Sequence, residues 1–420
     1  MQGSRKIVGL DLGTTKVSCI IAEVDEDGIP SIVGVSSYPA QGMRRGVVIN
    51  IEQTAATIEK AVAEAERMAG TEVSAVYTGI AGDHIRSINS RGVIAITRRG
   101  GNVSQNEIRQ DDVDRVVEAA KAVSMPMDRE VIHVIVQQFI VDDQKGIKNP
   151  VGQAGVRLEA DVHIITGAVA SAQNVYRCVK RAGITVRDLV LEPLASSYAV
   201  LEENERELGV GMIDLGGGTS DIAIFEDGVI KHTHVLAVGG QLVTRDIAIG
   251  LNIPLDQAEK LKLEHGLAHP SLVKEDIEIK LPKFGSRPAS SIAASELTGI
   301  IHFRMREIFE FARDEIIRML GANYQQKLPA GLILTGGGAL LPGTDILAGE
   351  VLGFPVQIRG SLGVSGLTSL VDSPVYATGV GLILYGMKFG GDTDAFLGDE
   401  SKVFEKILNR MKRWWDEFFT

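Results

Sequence analysis

Two stretches of this 420-residue chain carry residue types that handle phosphate and a divalent cation. The first is Asp11-Leu12-Gly13-Thr14-Thr15-Lys16; the second is Asp214-Leu215-Gly216-Gly217-Gly218-Thr219-Ser220-Asp221. Glycine has no Cβ to hold the backbone away from a polyphosphate, and positive φ costs it little. Successive turn N–H groups can then point at anionic oxygens. An aspartate heading such a turn suits Mg2+ held through water better than it suits phosphate itself. One such turn would mean little. Two, about half a chain apart, suggest a duplicated fold that grips one nucleotide between its halves.

The elements that must position these turns follow from the flanking text. Apolar β-type runs at 7–10 and 17–21 bracket the first turn, and runs at 210–213 and 222–225 bracket the second. Helical spacing predicts a helix over about 53–68 closed by Gly70, then a strand at 73–78. Beyond His84 polar β stretches lead to a helix opened near Ser104, with Val113, Val116, Val117 and Ala120 at helical spacing, and to β runs at 131–141 and 158–166. This block reads as a small α+β module inserted into the first half. The main pattern resumes with a helix capped by Ser171 and ended by Gly183, a strand at 184–191 and a helix after Pro193. From Val210 the plan repeats, with its own insertion near 228–301, helical stretches at 242–251 and 255–263, and a long helix over roughly 291–320. Residues 331–338 read as a buried strand and glycine turn, and a last body helix begins near Tyr376. Residues 386–401 are rich in Gly and Asp, a flexible tether, and 402–420 are helical again.

Bulk properties bound the class. The length exceeds what one core supports and predicts two to four domains. With 45% hydrophobic and 23% charged residues the composition is that of a soluble globular protein, and a net charge of −11 argues against non-specific nucleic-acid binding. Cys19 and Cys178, isolated on a predicted strand and helix, read as buried thiols in a reducing compartment. No apolar run reaches the ~18 residues a membrane-spanning helix needs, and the N-terminus runs into the first strand without a secretory pattern. His232 and His234 alternate on one β run with no third ligand near, the pattern of a solvated strand face rather than a metal site.

Five motifs now converge in order. They are the two Asp-Gly-Thr turns, the helix opening at Glu192-Pro193-Leu194-Ala195, the turn Gly336-Gly337-Gly338 and the small-residue helix near 377–381. Over essentially residues 6–388 the chain resembles the actin/Hsp70/sugar-kinase ATPase superfamily. The resemblance implies an α/β fold, a duplicated actin-like (RNase H-like) ATPase with inserted subdomains, and ATP with Mg2+ as cofactors. On that likeness Asp11 and Asp214 organise Mg2+, while Gly13, Thr14, Thr15, Lys16, Gly216, Gly217, Gly218 and Thr219 hold the β- and γ-phosphates. Gly336, Gly337 and Gly338 match the adenosine motif. Glu192 matches the position that orients the attacking water; it is also a carboxylate at a helix N-terminus, favourable with the dipole in any case. Glu259 and Lys262, one helical turn apart, match a charged pair flanking the nucleoside, and equally suit an ordinary surface ion pair.

Within the superfamily, residues 148–163, 195–201 and 365–379 resemble FtsA, the actin-like bacterial cell-division family. That likeness implies a first-half subdomain at 1–84 and 163–194, with an inserted module at 85–162 replacing the second subdomain of actin. It implies a second-half subdomain at 195–227 and 303–388, and a module at 228–302 that binds the C-terminal tail of FtsZ, the tubulin homologue. Arg287 and Arg304 become candidate contacts for that acidic tail, or else solvated arginines. Self-assembly into protofilaments, other division proteins as partners, and weak ATPase activity at most are further implications.

The implied linker at 389–401 ends in a distinctive segment. Phe404, Ile407, Leu408, Met411, Trp414, Trp415 and Phe418 follow helical spacing and form one stripe, and five basic residues of 402–420 outnumber three acidic ones. A cationic amphipathic helix with aromatics is the pattern for lying in a bilayer interface. Anionic lipid attracts it by about 1 kcal/mol per basic residue near the surface. A helix docked on the body or on another chain is the alternative. The composite expectation is an ATP-binding, peripheral protein at the cytoplasmic face of the cell membrane that polymerises, tethers FtsZ and helps build the division septum. Two relatives of the same fold stand beside it. A sugar-kinase-type phosphotransferase needs a base for a sugar hydroxyl, and only Glu192 offers one. The actin-like adaptor of type IV pilus assembly would not be expected to carry the tail.

Overall fold

Residues 7–12 are apolar apart from Asp11 and the small Gly9, and such a run suits a strand covered on both faces. A computed structural model describes residues 5–24, 28–96, 107–281 and 290–390. It places this run in β1 (Arg5–Leu12), at the centre of a six-stranded sheet. β2 (Lys16–Val24) and β3 (Pro30–Pro39) continue antiparallel from it. The small hairpin of β4 (Met43–Arg44) and β5 (Val47–Val48) leads to α1 (Ile51–Ala69) and then β6 (Ala75–Ile80), which is parallel to β1. Asn50 caps α1 by accepting from the Gln53 N–H at 3.1 Å, and Gly70 ends it in the left-handed region at φ 64°. Its buried stripe is Thr54, Ile58, Ala61, Val62 and Ala65, the spacing of one helix face.

The chain then builds a separate four-stranded sheet with its own core, from β7 (Arg86–Ala95), α2 (Gln110–Lys121), β8 (Arg129–Val141), β9 (Gln144–Ile147) and β10 (Arg157–Ala168). α2 starts at Gln110, later than the Ser104 opening expected, because the Arg109 N–H donates to Asp112 Oδ2 at 3.0 Å in a capping box. The return to the first half runs through α3 (Val169–Arg181) and β11 (Thr185–Leu191), the latter parallel to β6. α3 begins before Ser171, since the β10 ladder runs through Ala168, paired with Arg129, straight into the helix.

α4 (Glu192–Val200) and the short α5 (Glu203–Leu208) cross to the second half. There β12 (Val210–Leu215), β13 (Ser220–Glu226) and β14 (Val229–Leu236) repeat the antiparallel trio of β1–β3. α6 (Gly240–Leu251), α7 (Leu255–His265) and the two-stranded pair β15 (Glu278–Leu281) and β16 (Ser290–Ala293) form the second insertion. α8 (Ala294–Leu320) begins after Ser291, not at it, because residues 290–293 are claimed by the ladder with β15. α9 (Tyr324–Lys327), β17 (Leu332–Thr335), α10 (Thr344–Leu352) and β18 (Val356–Ile358) complete a five-stranded sheet in which β17 runs parallel to β12. β19 (Ser365–Gly366) crosses back to pair with β3 of the first sheet. α11 (Ala377–Phe389) then packs on β1 and against α4, and it carries Gly386 inside it, so the expected tether does not begin there. Residues 391–420, with the expected linker and terminal helix, lie outside the described residues.

Two repeats of one plan are the duplicated actin-like α/β fold; one hydrophobic core runs from the first sheet onto Val210, Met212, Ala223 and Phe225 of the second, and another fills the rest of the second half. Cys19 and Cys178 are both free and buried. Besides the pairing of β19 with β3, these contacts join the parts. α4 and α11 cross so tightly that a Cβ on Gly381 would collide with the Ala195 carbonyl oxygen. The inserted module also hydrogen-bonds to β14 along a seam. Ser87 Oγ donates to Thr233 O at 2.8 Å, and Gln137 Nε2 donates to the Ile230 and Lys231 carbonyls at 3.0 Å.

Candidate functional site

Both glycine turns come to the same cleft, each held at the end of a buried strand. Asp11 sits near the C-terminal end of β1, and Asp214 near that of β12. Lys16 opens β2 and lays its Nζ 3.4 Å from Asp11 Oδ2 and 3.2 Å from Ser18 Oγ. The second turn closes through the Gly216 N–H donating to Thr219 O at 3.0 Å. The turns face each other without room for side chains. A Cβ on Gly217 would strike the Thr15 side chain, and one on Gly218 the Thr14 hydroxyl. Thr14 Oγ1 is itself fixed by the Gly46 N–H at 2.9 Å. Gly336, at φ 83°, brings the third turn against Asp214 Oδ1, where a Cβ has no space.

Between these turns lies a cavity of about 430 Å³, lined at the end nearer the turns by four carboxylates: Asp11, Glu192, Asp214 and Asp221. Asp214 Oδ2 accepts from Ser196 Oγ at 2.6 Å and Thr378 Oγ1 at 3.3 Å. Asp221 Oδ1 is buried with no hydrogen-bond partner. Burial pushes the carboxyls of Glu192 and Asp221 well above the usual range, and the negative charges of their neighbours, Asp11 and Asp214 among them, push the same way. Burial also raises Asp214, against the hydrogen bond from Ser196. So much unpaired negative charge around one cavity calls for a cation. Among the described residues no three His, Cys, Asp or Glu side chains could hold an ion by themselves. A cation here would draw its remaining ligands from water and phosphate, the habit of Mg2+. The donor set therefore fits Mg2+ with a polyphosphate. Asp11 and Asp214 stand where they would hold it, Asp221 beside them, and the two turns where they would hold the phosphates.

The far wall changes character. Val243, Leu263, Met305, Leu340 and Leu341 offer an apolar face next to Gly336–Gly338. Glu259 and Lys262 stand beside it on α7, 2.7 Å apart. Lys262 Nζ also reaches Thr244 Oγ1 at 2.8 Å and the Gly240 carbonyl at 3.3 Å, and the Thr244 hydroxyl donates to Glu259. The pair is thus part of the cavity wall, which suits a nucleoside with a polar sugar edge and an apolar base.

Comparison with known proteins bears on this geometry. The chain is 41% identical over 421 aligned residues to the cell division protein FtsA of Pseudomonas aeruginosa, covering 99% of this chain and 98% of the relative. The chain belongs to the FtsA family. Family models match the description "SHS2 domain inserted in FTSA" at residues 82–166 and "Cell division protein FtsA" at 211–381. Among solved structures, that of a PilM-PilN type IV pilus biogenesis complex aligns with a TM-score of 0.64 at 18% identity, covering 92% of this chain and 99% of the other. MreB5 of Spiroplasma citri bound to ADP aligns at 0.53 and 14%, covering 97% and 98%. At such identities these two likenesses establish the actin-like fold.

The remaining expectations for an FtsA-family chain separate. Arg304 lies on α8 with its guanidinium ion-paired to Asp246 and Glu307. Arg287 and the stripe Phe404, Ile407, Leu408, Met411, Trp414, Trp415 and Phe418 lie outside the described residues. Among the described residues no helix is long and apolar enough to cross a membrane. His232 and His234 do not form a solvated face: both are half-buried, and His234 Nδ1 lies 2.9 Å from Glu315 on α8. Asp221, Ser18, Ser196, Thr244 and Thr378 are site residues the sequence reading passed over. Asp221 closes the second glycine motif and was there to be found. The hydroxyls carry no signal in the sequence, since their meaning depends on which strand end they meet.

Proposed function

We propose that this chain is an ATP-dependent adaptor of cell division that lies on the cytoplasmic face of the membrane, assembles with copies of itself and recruits FtsZ to the septum. One observation carries the nucleotide part: two opposed glycine turns enclose four carboxylates, of which Asp11 is paired with Lys16 while Glu192, Asp214 and Asp221 line the cavity with no ion pair among the described residues. Family membership supports the division role, and the tail stripe at 404–418 supports the membrane role. Bound Mg2+ would supply positive charge to a polyphosphate and to the carboxylates around it. The chain's own residues do the rest. The turn N–H groups and Lys16 would orient phosphate oxygens, and Asp11 and Asp214 would hold the cation. The apolar wall with Glu259 and Lys262 seats the nucleoside. Glu192, its carboxyl pushed up by burial, lines the same cavity and would orient an attacking water and draw its proton. Positioning and charge neutralisation dominate phosphoryl transfer. In this reading the nucleotide governs assembly, and turnover is secondary.

Co-sedimentation with anionic vesicles in Mg·ATP tests the reading. The full chain should pellet with vesicles. The chain lacking 402–420 should remain in the supernatant yet bind ATP with unchanged affinity, and Asp214→Ala should lose ATP. Vesicle binding that survives the deletion would refute the anchor, and Mg·ATP affinity unaltered by Asp214→Ala would refute the nucleotide site.

A further inference from the structure

Asp214 is held by groups that belong to neither glycine turn. Its Oδ2 accepts from Ser196 Oγ of α4 at 2.6 Å and from Thr378 Oγ1 of α11 at 3.3 Å, and the two hydroxyls are 3.1 Å apart. All three side chains are buried. A helical serine ordinarily spends its hydroxyl on its own backbone, as the adjacent Ser197 does by donating to Leu194 O at 2.7 Å. Ser196 turns instead to a carboxylate at the end of a strand in the second sheet. The helices that supply the hydroxyls are those that cross where Gly381 meets Ala195. Ser196 adjoins that crossing, and Thr378 lies one turn from it. One carboxylate oxygen is thus tied from both connecting helices, which fixes its rotamer.

We propose that Ser196 and Thr378 are positioning residues for the cation–nucleotide complex, orienting Asp214 so that it meets the hydrated cation without rearrangement. The inference rests on the nucleotide reading of the cleft. Neither hydroxyl points to the nucleoside wall, so their loss should weaken the cation-dependent part of binding and spare the rest.

The test is calorimetric titration of the full chain with ATP, in EDTA and across a Mg2+ series. Ser196→Ala should raise the Mg2+ concentration for half-maximal tightening about tenfold, the scale of one hydrogen bond to a charged acceptor. Thr378→Ala, losing the longer bond, should raise it about threefold, and Ser196→Thr should restore it to within about twofold. Affinity in EDTA should stay within about twofold throughout. An unchanged Mg2+ requirement in Ser196→Ala, or equal loss with and without Mg2+, would overturn the proposal. Thr378→Ala decides the matter should Ser196→Ala not fold. Wild-type chain that binds no Mg·ATP would instead strike down the nucleotide reading itself.

Discussion

Mild acid should loosen the seam between the inserted module and the second half, and His163 sets the size of the effect. Its ring is fully buried between the two, with Nδ1 2.6 Å from Asn89 Oδ1 and Nε2 3.0 Å from Thr233 Oγ1 of β14. Burial, and secondarily His232, lowers its pKa from 6.5 to about 3. In the unfolded chain the imidazole takes a proton near 6.5; in the folded chain it resists until about 3. Between those values the unfolded state binds the extra proton. Stability is therefore intact above 6.5 and falls as pH drops through that window. At about pH 5 the window has been entered by roughly 1.5 pH units, which at about 1.36 kcal/mol each is ~2 kcal/mol. His84, lowered to about 4 mainly by burial, tilts stability the same way but remains in a His163→Gln variant, so comparing the two proteins isolates His163. Urea unfolding at about pH 7.5 and about pH 5 should show wild type losing ~2 kcal/mol more than the variant. An NMR titration should find no His163 transition above about pH 4.5. A His163 resonance that titrates in the ordinary histidine range, or equal pH losses in the two proteins, would refute the reasoning.

Three further outcomes follow from the cleft. Gly218→Ala places a methyl against the Thr14 hydroxyl and should weaken ATP binding at least about tenfold. Gly299→Ala, on α8 away from the cavity with nothing within 4 Å of its Cβ, should bind normally; equal losses in a fluorescent-nucleotide titration would sink the close-approach argument. Asp221→Asn removes a buried carboxyl with no partner at Oδ1 and should raise the unfolding temperature of the ligand-free chain by the equivalent of about 1 kcal/mol or more while weakening Mg·ATP; a lower unfolding temperature, or unaltered Mg·ATP affinity, would count against it. Mg·ATP binding should release protons. With carboxyl pKa values raised by burial in Glu192, Asp221 and Asp214, the ligand-free fold is favoured in mild acid and loses that advantage as pH rises through the raised values, and added positive charge draws the protons off. Calorimetry in buffers of different ionisation enthalpy reads this directly, and heats that do not vary with buffer would contradict it.

The parts of the fold legible from sequence were those written locally. Strand, glycine turn and strand around Asp11 and Asp214 announce themselves because the chemistry of close approach demands glycine at fixed places. α1 was legible from its stripe and its Gly70 stop. What escaped depends on partners far along the chain. Residues 290–293 continue a helical pattern into α8, yet pair with β15, because a ladder partner outweighs a weak local preference. Nothing around Ser365 foretells its pairing with Ser31. Asp214 finds its hydroxyls 18 residues upstream and 164 residues downstream. Arg304 reads as a free cation until the fold sets Asp246 beside it.

The cleft is where this chain departs from the rules the rest of it keeps. Away from the cleft a partly buried ion pair shows the ordinary arrangement. Glu205 and Arg359, both half-buried, meet through two hydrogen bonds at 2.6 and 2.8 Å, and the hydrogen bonds from Arg359 help hold the Glu205 carboxyl below its ordinary range despite burial. At the turn end of the cleft Asp11, Glu192, Asp214 and Asp221 line one cavity, and among the described residues Lys16, 3.4 Å from Asp11, is the one cation in an ion pair with them. An apolar residue at Asp221, or a hydroxyl at Glu192, would fold with less strain. A chain selected for stability alone has no reason to keep them together. The deficit of positive charge is better understood as the shape of a missing ligand, one that brings a cation and occupies a cavity bounded by turns too tight for side chains. The same strands carry that site to the seam. Asp221 of β13 pairs with Val235 of β14, two residues from the Thr233 that meets His163. A single hairpin thus joins the most charge-strained part of the molecule to the inserted module at 82–166.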